Sequence, residues 1–265
     1  MINYTTPDRH IGGQIMAVSG PLARSITDLE LGLNAMSMED YDDPWWSPIP
    51  LSFDMPLKKV ALVTEIKGLS IDPIIIEELN KAAKALEKSG WIIEQPKAPD
   101  FEEAAQFQAA LWLGEFRRTG GDAIKKENDP DANFIYEQMS RRCPNTSLDN
   151  FMDALQNRAK IGRDWNAFFD KYPLMLCPIT GDLPFTDLKD LESPESFDKV
   201  FDSMLPQIAT PYLGLPGLSF ATGITDTNIP LGVQLISRKY REDILLSAGY
   251  DLEKHYPKIN PVFPS

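Results

Sequence analysis

The stretch TPYLGLPGLSFATGITDTNIPLGVQLIS, from Thr210 to Ser237, leaves few folds open to a chain that contains it. Two β-rich pieces, Gly217 to Thr222 and Leu231 to Ser237, flank ITDTNIP. There Asp, Asn and Pro favour a turn through local side-chain bonding and a fixed φ, so the pair reads as a hairpin. Ahead of it, Gly214 and the Leu215-Pro216 step enforce a tight, extended entry, because proline restricts the residue before it to β or polyproline space. Behind it, Glu242 to His255 carries Ile244, Leu245, Ala248 and Leu252 at helical spacing. That apolar stripe predicts a helix lying back on the sheet just formed.

A hairpin needs partners, and the chain supplies them. KKVALVTE, Lys58 to Glu65, is a short β-branched run suited to a buried strand. Asp72 to Ser89 follows as an amphipathic helix opened by Asp-Pro and stopped by Gly90, and WIIEQPK, with its strand at Trp91 to Gln95, is next. Strand, helix and strand in that order build a parallel crossover, expected right-handed. LMLCPIT, Leu174 to Thr180, is a further buried strand that runs into the proline-rich loop GDLPFTDLKDLESP. Between these lie helical patterns at Phe101 to Arg118, near Asn133 to Arg142, and at Ser147 to Tyr172, where Ser147 and Asn150 are spaced as an entry cap. Ser196 to Leu213 reads as one more helix. Near the start, GPLARSITDLELGLNAMS predicts a helix capped at Ser25 or Thr27, with Ile26, Leu29, Leu33 and Met36 on one face. The residues before it lack a helix period. Trp45 and Trp46, in the loop that follows it, read as rings pinning the loop rather than lining a pocket. The fold class is therefore α/β, a mixed β-sheet flanked by helices, with residues 1–265 expected as a single domain because no linker or repeat divides them.

Composition excludes more than it selects. Against 26 Lys and Arg stand 39 Asp and Glu, a net charge of −13 that phosphate backbones and anionic lipid repel, so neither nucleic acid nor membrane is an expected partner. With two cysteines, Cys143 and Cys177, and no leader-like start, the chain reads as a reduced, cytoplasmic protein, its cysteines as small core hydrophobes. The two histidines, His10 and His255, fall where solvated histidines are common. Without paired Cys or His spacing no metal site is expected, and no glycine-rich phosphate loop or other cofactor motif occurs.

Read together and in order, GPLARSITDLELGLNAMS, DYDDPWWSPIPL, LMLCPIT and YLGLPGLSFATG with IPLGVQLISRKYREDILLSAG resemble the carboxy-terminal half of the amidase signature family. GPLARS is similar to that family's GPMARS-type segment, and GLPGLSFATG with PLGVQLIS to its closing hairpin. The resemblance implies hydrolysis of carboxamides by a serine nucleophile, with a second serine relaying protons to a lysine. In the family these groups, and the glycine-serine-rich loop that forms the oxyanion hole, precede the GPMARS-type segment. Here Gly12-Gly13 is not that loop, no serine lies before Ser19 and no lysine before Lys58. No catalytic residue can therefore be assigned, and the chain is expected to be a partial amidase-signature fold, inactive alone.

What the resemblance does imply is an outer substrate wall. Ile179, Thr180 and Phe185, in and after LMLCPIT, are the expected substrate-binding residues, with Trp112 from the helical layer a fourth. A small carboxamide is the expected ligand. The expected protein partner is a second copy, as a homodimer, or an amino-terminal fragment bearing the triad. A non-catalytic binding or assembly module is the alternative.

Overall fold

Leu174, Met175, Leu176 and Cys177 have no exposed surface at all. Because side chains alternate across a strand, consecutive burial requires a layer packed on each face. The structure, a computed structural model, describes residues 9–52, 54, 57–144 and 146–257, and of Thr119 the backbone alone. The first eight residues of the turn-rich start, three positions of the proline-broken loop (53, 55 and 56), position 145 and the last eight residues lie outside the described residues.

The elements run α1 (Ile11–Met16), α2 (Ile26–Met36), β1 (Lys59–Leu62), α3 (Pro73–Lys88), β2 (Ile92–Glu94), α4 (Phe101–Thr119), α5 (Gly121–Glu127), α6 (Pro130–Arg142) and α7 (Leu148–Lys171). They continue with β3 (Leu174–Cys177), a 3₁₀ turn (Lys189–Leu191), α8 (Pro194–Ser203), α9 (Leu205–Leu213), β4 (Gly217–Ile224), β5 (Pro230–Ser237) and α10 (Glu242–Glu253). The five strands form one mixed sheet in the order β2-β1-β3-β5-β4. β1 is parallel to β2 and to β3, with Val60 opposite Leu174, whereas β5 is antiparallel to β3 and β4.

Alternation then assigns the two faces. Val60, Leu62, Leu174, Leu176, Leu218, Phe220, Val233 and Leu235 pack with α3, α10 and Ile26 of α2. Val63, Met175, Cys177 and Ile236 pack with α4, α7 and α9. In α3, the Asp72 carboxylate caps the Ile74 N–H, Pro73 begins the first turn, and Ile75, Leu79, Ala82 and Leu86 are buried in line. Burying Leu79 and Leu86 contributes about 1.5–3 kcal/mol each. The long α7 opens with the capping box of Ser147 and Asn150. It then sinks Trp165 against the edge of Phe101, ring centroids 4.8 Å apart.

Three expectations need correction. The start is not without helix: α1 forms even though its sequence, IGGQIM, has poor propensity, because charges far along the chain hold both its ends. The Glu115 carboxylate accepts from the N–H groups of Ile11 (2.7 Å) and Gly12 (2.6 Å), and Arg158 donates to the Ile15 carbonyl (3.0 Å). A Cβ at Gly12 would stand 2.6 Å from that carboxylate, so any larger residue would have to push the Glu115 side chain aside. The proposed helix Ser196 to Leu213 is two, α8 and α9, broken at Met204 ahead of Pro206, which has no N–H to continue the first. A short helix, α5, also joins α4 to α6, ended by Asn128 in the left-handed region. Trp45 and Trp46 do tie their loop down: their indole N–H groups donate to Gln14 Oε1 and the Ser37 carbonyl.

One buried acid locks the α10 layer to the sheet. Asp251 accepts from Trp91 Nε1 (2.9 Å), Lys58 Nζ (2.9 Å) and Lys254 Nζ (2.6 Å). Burial would raise its carboxyl, but bonds from Lys254, Trp91 and Lys58 outweigh that and hold it below the ordinary value. A folded value below the unfolded one makes this contribution complete above pH about 4 and lost as pH falls through the lowered folded value. Asp251→Ala, which strands the buried Trp91 N–H, is expected to cost about 1–3 kcal/mol at pH 7. In urea titrations the gap between wild type and variant should narrow towards pH 3; a gap independent of pH would contradict this account.

Candidate functional site

Because β1, β2 and β3 are parallel, their carboxyl ends open at one end of the sheet, where loops of such folds form clefts. The loop leaving β3 is fixed there by its backbone. Gly181 N–H donates to the Ser203 carbonyl (2.7 Å), and its carbonyl accepts from Asp72 N–H (2.8 Å). A Cβ on Gly181 would lie 2.3 Å from the Ser70 carbonyl oxygen. Glycine thus lets the loops after β1 and β3 meet.

Two cavities flank this junction. One, of about 310 Å³, is lined by Ile179, Thr180 and Phe185 from the β3 loop, Ile75 and Glu78 from α3, and Leu231 from β5. Its walls are apolar apart from Thr180 and the two acids Glu78 and Asp182. The Thr180 hydroxyl donates to the Asp182 carbonyl (2.7 Å), so towards a ligand it acts as an acceptor. Glu78, buried, is held by Lys81 Nζ at 2.8 Å.

The second, of about 440 Å³, lies between α4, α6 and the α8–α9 break, with Trp112, Met139, Cys143, Phe201, Leu205 and Ile208 among its walls. Arg142 closes one side. It bonds Asp198 at 2.8 Å and also Asp202, and its guanidinium lies 4.7 Å from the Phe201 ring centroid. Burial alone would lower the Arg142 pKa, but hydrogen bonds to Asp198 and Asp202 more than reverse it, so the cation is secured. Arg117 ties the end of α6 by donating to the carbonyls of Cys143 and Pro144.

Ile179, Thr180 and Phe185 therefore come together in one cavity and Trp112 lies in the other. Met204 lines both. Sequence reasoning passed over Met204, Phe201 and Arg142. Met204 sits at a helix break that the pattern hides, and the other two gain their place only when α6 and α8 meet. Cys143 lines a cavity instead of joining the core, whereas Cys177 is buried with its thiol pushed up by desolvation, and neither is in a disulfide.

Nucleophile chemistry is sparse here. Neither cavity is lined by a serine, lysine or histidine among the described residues. A Ser–His hydrogen bond does exist, Ser89 Oγ to His255 Nε2 at 2.9 Å, but it is exposed, lines neither cavity, and among the described residues no carboxylate is bonded to the ring. Among the described residues no cluster of three His, Cys, Asp or Glu is placed to hold a metal, and no helix is long and apolar enough to cross a membrane.

Comparison with known proteins gives a consistent answer. The family model described as Amidase matches residues 12–246. An indoleacetamide hydrolase of Bradyrhizobium diazoefficiens is 32% identical over 251 residues, covering 94% of this chain and 48% of that protein. A glutamyl-tRNA(Gln) amidotransferase subunit from Rippkaea orientalis is 26% identical, covering 89% and 54%. Among solved structures, 6-aminohexanoate cyclic dimer hydrolase complexed with substrate superposes with a TM-score of 0.70 at 18% identity, over 89% of this chain and 54% of that one. Fatty acid amide hydrolase gives 0.70 at 19% identity, over 94% and 51%. The chain thus spans about half the length of the relatives it matches.

The Gly181 junction is open to test. Gly181→Ala should push the β3 loop off Ser70 and destabilise the chain by about 1–3 kcal/mol, as overpacking does. That is a fall in melting temperature of roughly 2–4 °C per kcal/mol. Unchanged melting, with unchanged exchange of the Asp72 and Gly181 amides, would remove this contact from the account.

Proposed function

The chain belongs to the amidase signature family, and from that membership we propose that it forms the substrate-side wall of a carboxamide hydrolase and does not hydrolyse amides by itself. One observation carries the second half of this reading: among the described residues, the two cavities next to the β3 loop are lined by apolar side chains, acids, two glutamines, Arg142, Cys143 and Thr180, but by no serine or lysine. Amide hydrolysis of the serine type needs a nucleophile, a group to take its proton and donors for the oxyanion. Thr180, the one hydroxyl in these linings among the described residues, donates its proton to the backbone carbonyl of Asp182 and not to the Glu78 or Asp182 carboxylates that share the cavity.

The walls support binding. Trp112, 43% exposed, and Phe201 offer aromatic surface in a cavity large enough for a small ring system, and Met204 adapts its shape. With an indoleacetamide hydrolase among the 32% identical relatives, an aryl-substituted small carboxamide is the substrate class we favour. Ile179, Thr180, Phe185 and Trp112 are its proposed contacts, with Met204 between them.

Ammonia release from a panel of aliphatic and aromatic carboxamides, indole-3-acetamide included, tests the reading. The pure chain should give no turnover above background, since loss of nucleophile and base removes several orders of magnitude in rate. Sustained turnover, abolished by a serine-directed phosphonate that labels one mapped residue, would falsify it.

A further inference from the structure

A third cavity, of about 450 Å³, shares no lining residue with the two beside the β3 loop. One wall is the linker from β2 to α4, where Pro96 and Pro99 fix the backbone on either side of Lys97 and Ala98. The other is the last part of α7 and its end, with Ile161, Trp165, Phe168 and Tyr172. Cavities of this size hold small ligands, and a wall set by prolines loses little freedom when one binds.

Trp165, among these lining residues, carries a polar atom that the core does not use. It is 1% exposed, and its indole Nε1 has no acceptor among the described residues. The ring packs edge-on against Phe101, which accounts for an aromatic residue here but not for an N–H, since a buried donor without a partner is destabilising. Charge is placed around the same cavity. Lys97 and Lys171 line it, are exposed, and form no ion pair with any described residue. Of the three acids in the lining, Asp100 faces Lys67 at 3.5 Å and Glu103 faces Lys160 at 3.7 Å, which leaves Asp164 alone unmatched. Two open cations against one open acid favour an anion.

We propose that this cavity is a second binding site, for a small carboxylate with a flat apolar body. One carboxylate oxygen accepts from Trp165 Nε1, the ammonium groups of Lys97 and Lys171 close over the charge, and the body lies between Phe168 and the two prolines. An anion held by an indole N–H and two lysines gains charge-assisted bonds that a neutral ligand of the same shape does not. Because Trp165 is nearly closed off, its bond forms only when the ligand seats at the cavity floor, so the indole N–H reports occupancy. The inference goes beyond the proposed hydrolase and does not rest on it.

Phenylacetate is the probe, and phenylacetamide, its neutral counterpart of the same shape, is the control. The chain's 5 tryptophans give as many indole signals in a proton–nitrogen correlation spectrum, and Trp165→Phe identifies its own by the one that disappears. Should that variant fail to fold, Overhauser contacts to the Phe101 ring, whose centroid is 4.8 Å away, assign the signal instead. Phenylacetate should move the Trp165 signal downfield and saturably, and phenylacetamide should leave it in place. By calorimetry, Trp165→Phe should weaken phenylacetate binding about tenfold, the worth of one hydrogen bond to a charged group. Lys97→Gln and Lys171→Gln should each weaken it about two- to fivefold, as exposed ion pairs do, with the melting temperature unchanged. No saturable movement of the Trp165 signal, equal movement by phenylacetamide, or lysine variants that bind phenylacetate as tightly as the unaltered chain would overturn the inference.

Discussion

Everything in this structure is hung on β3, four residues that tolerate no solvent on either face. Leu174 and Leu176 belong to the core with α3 and α10, Met175 and Cys177 to the core with α4, α7 and α9. The same strand is where the sheet changes sense, parallel towards β1 and antiparallel towards β5. A polar residue here would be stranded between two apolar layers. The strand's carboxyl end then decides where the cavities form, since Ile179 and Thr180 leave it directly into the junction that Gly181 holds.

How far the sequence foretold this depends on the range of the interaction involved. Strands and long helices were legible because their causes are local: a β-branched run at β1, a short apolar run at β3, Asp72 and Ser147 as caps, and an apolar stripe along α10. The hairpin of β4 and β5 could be read from its turn residues. What escaped was set by distant contacts. α1 exists through Glu115 and Arg158, more than 100 positions away, and no period in IGGQIM announces it. The break at Met204 needed the position of Pro206 within a helix, where a proline in the first turn is as compatible with a start as with a kink. At the site, Ile179, Thr180 and Phe185 could be named together because one loop carries them. Trp112 could be named without its cavity, whose far wall comes from α6 and α8 through the Arg141 and Arg142 bonds to Asp198.

Those bonds also explain why the walls are polarised as they are. Each cavity is lined by two carboxylates: Glu102 and Asp202 in the larger, Glu78 and Asp182 in the smaller. Arg142 is the one cation among these lining residues, and Asp198 and Asp202 already hold it. The remaining partners, Lys67 on Glu102, Lys81 on Glu78 and Lys199 on Asp182, reach in from more exposed positions.

If these walls serve a carboxamide hydrolase, the sign of that lining bears on turnover. A neutral amide carries no charge for the carboxylates to repel, whereas the acid formed from it is an anion at neutral pH. The anion meets lining acids, an already engaged arginine, and a chain of net charge −13. Repulsion between like charges in a partly desolvated cleft exceeds its value in water, because the effective dielectric is lower there. Binding and release are thereby separated by charge, with the aromatic surface of Trp112 and Phe201 acting on substrate and product alike. Uniform attraction of that kind sets affinity, and only a group that distinguishes the two states can speed departure. Under the proposed function the acids at the cavity walls would act in product release as well as in solubility, and the lysines paired with them lie at more exposed positions.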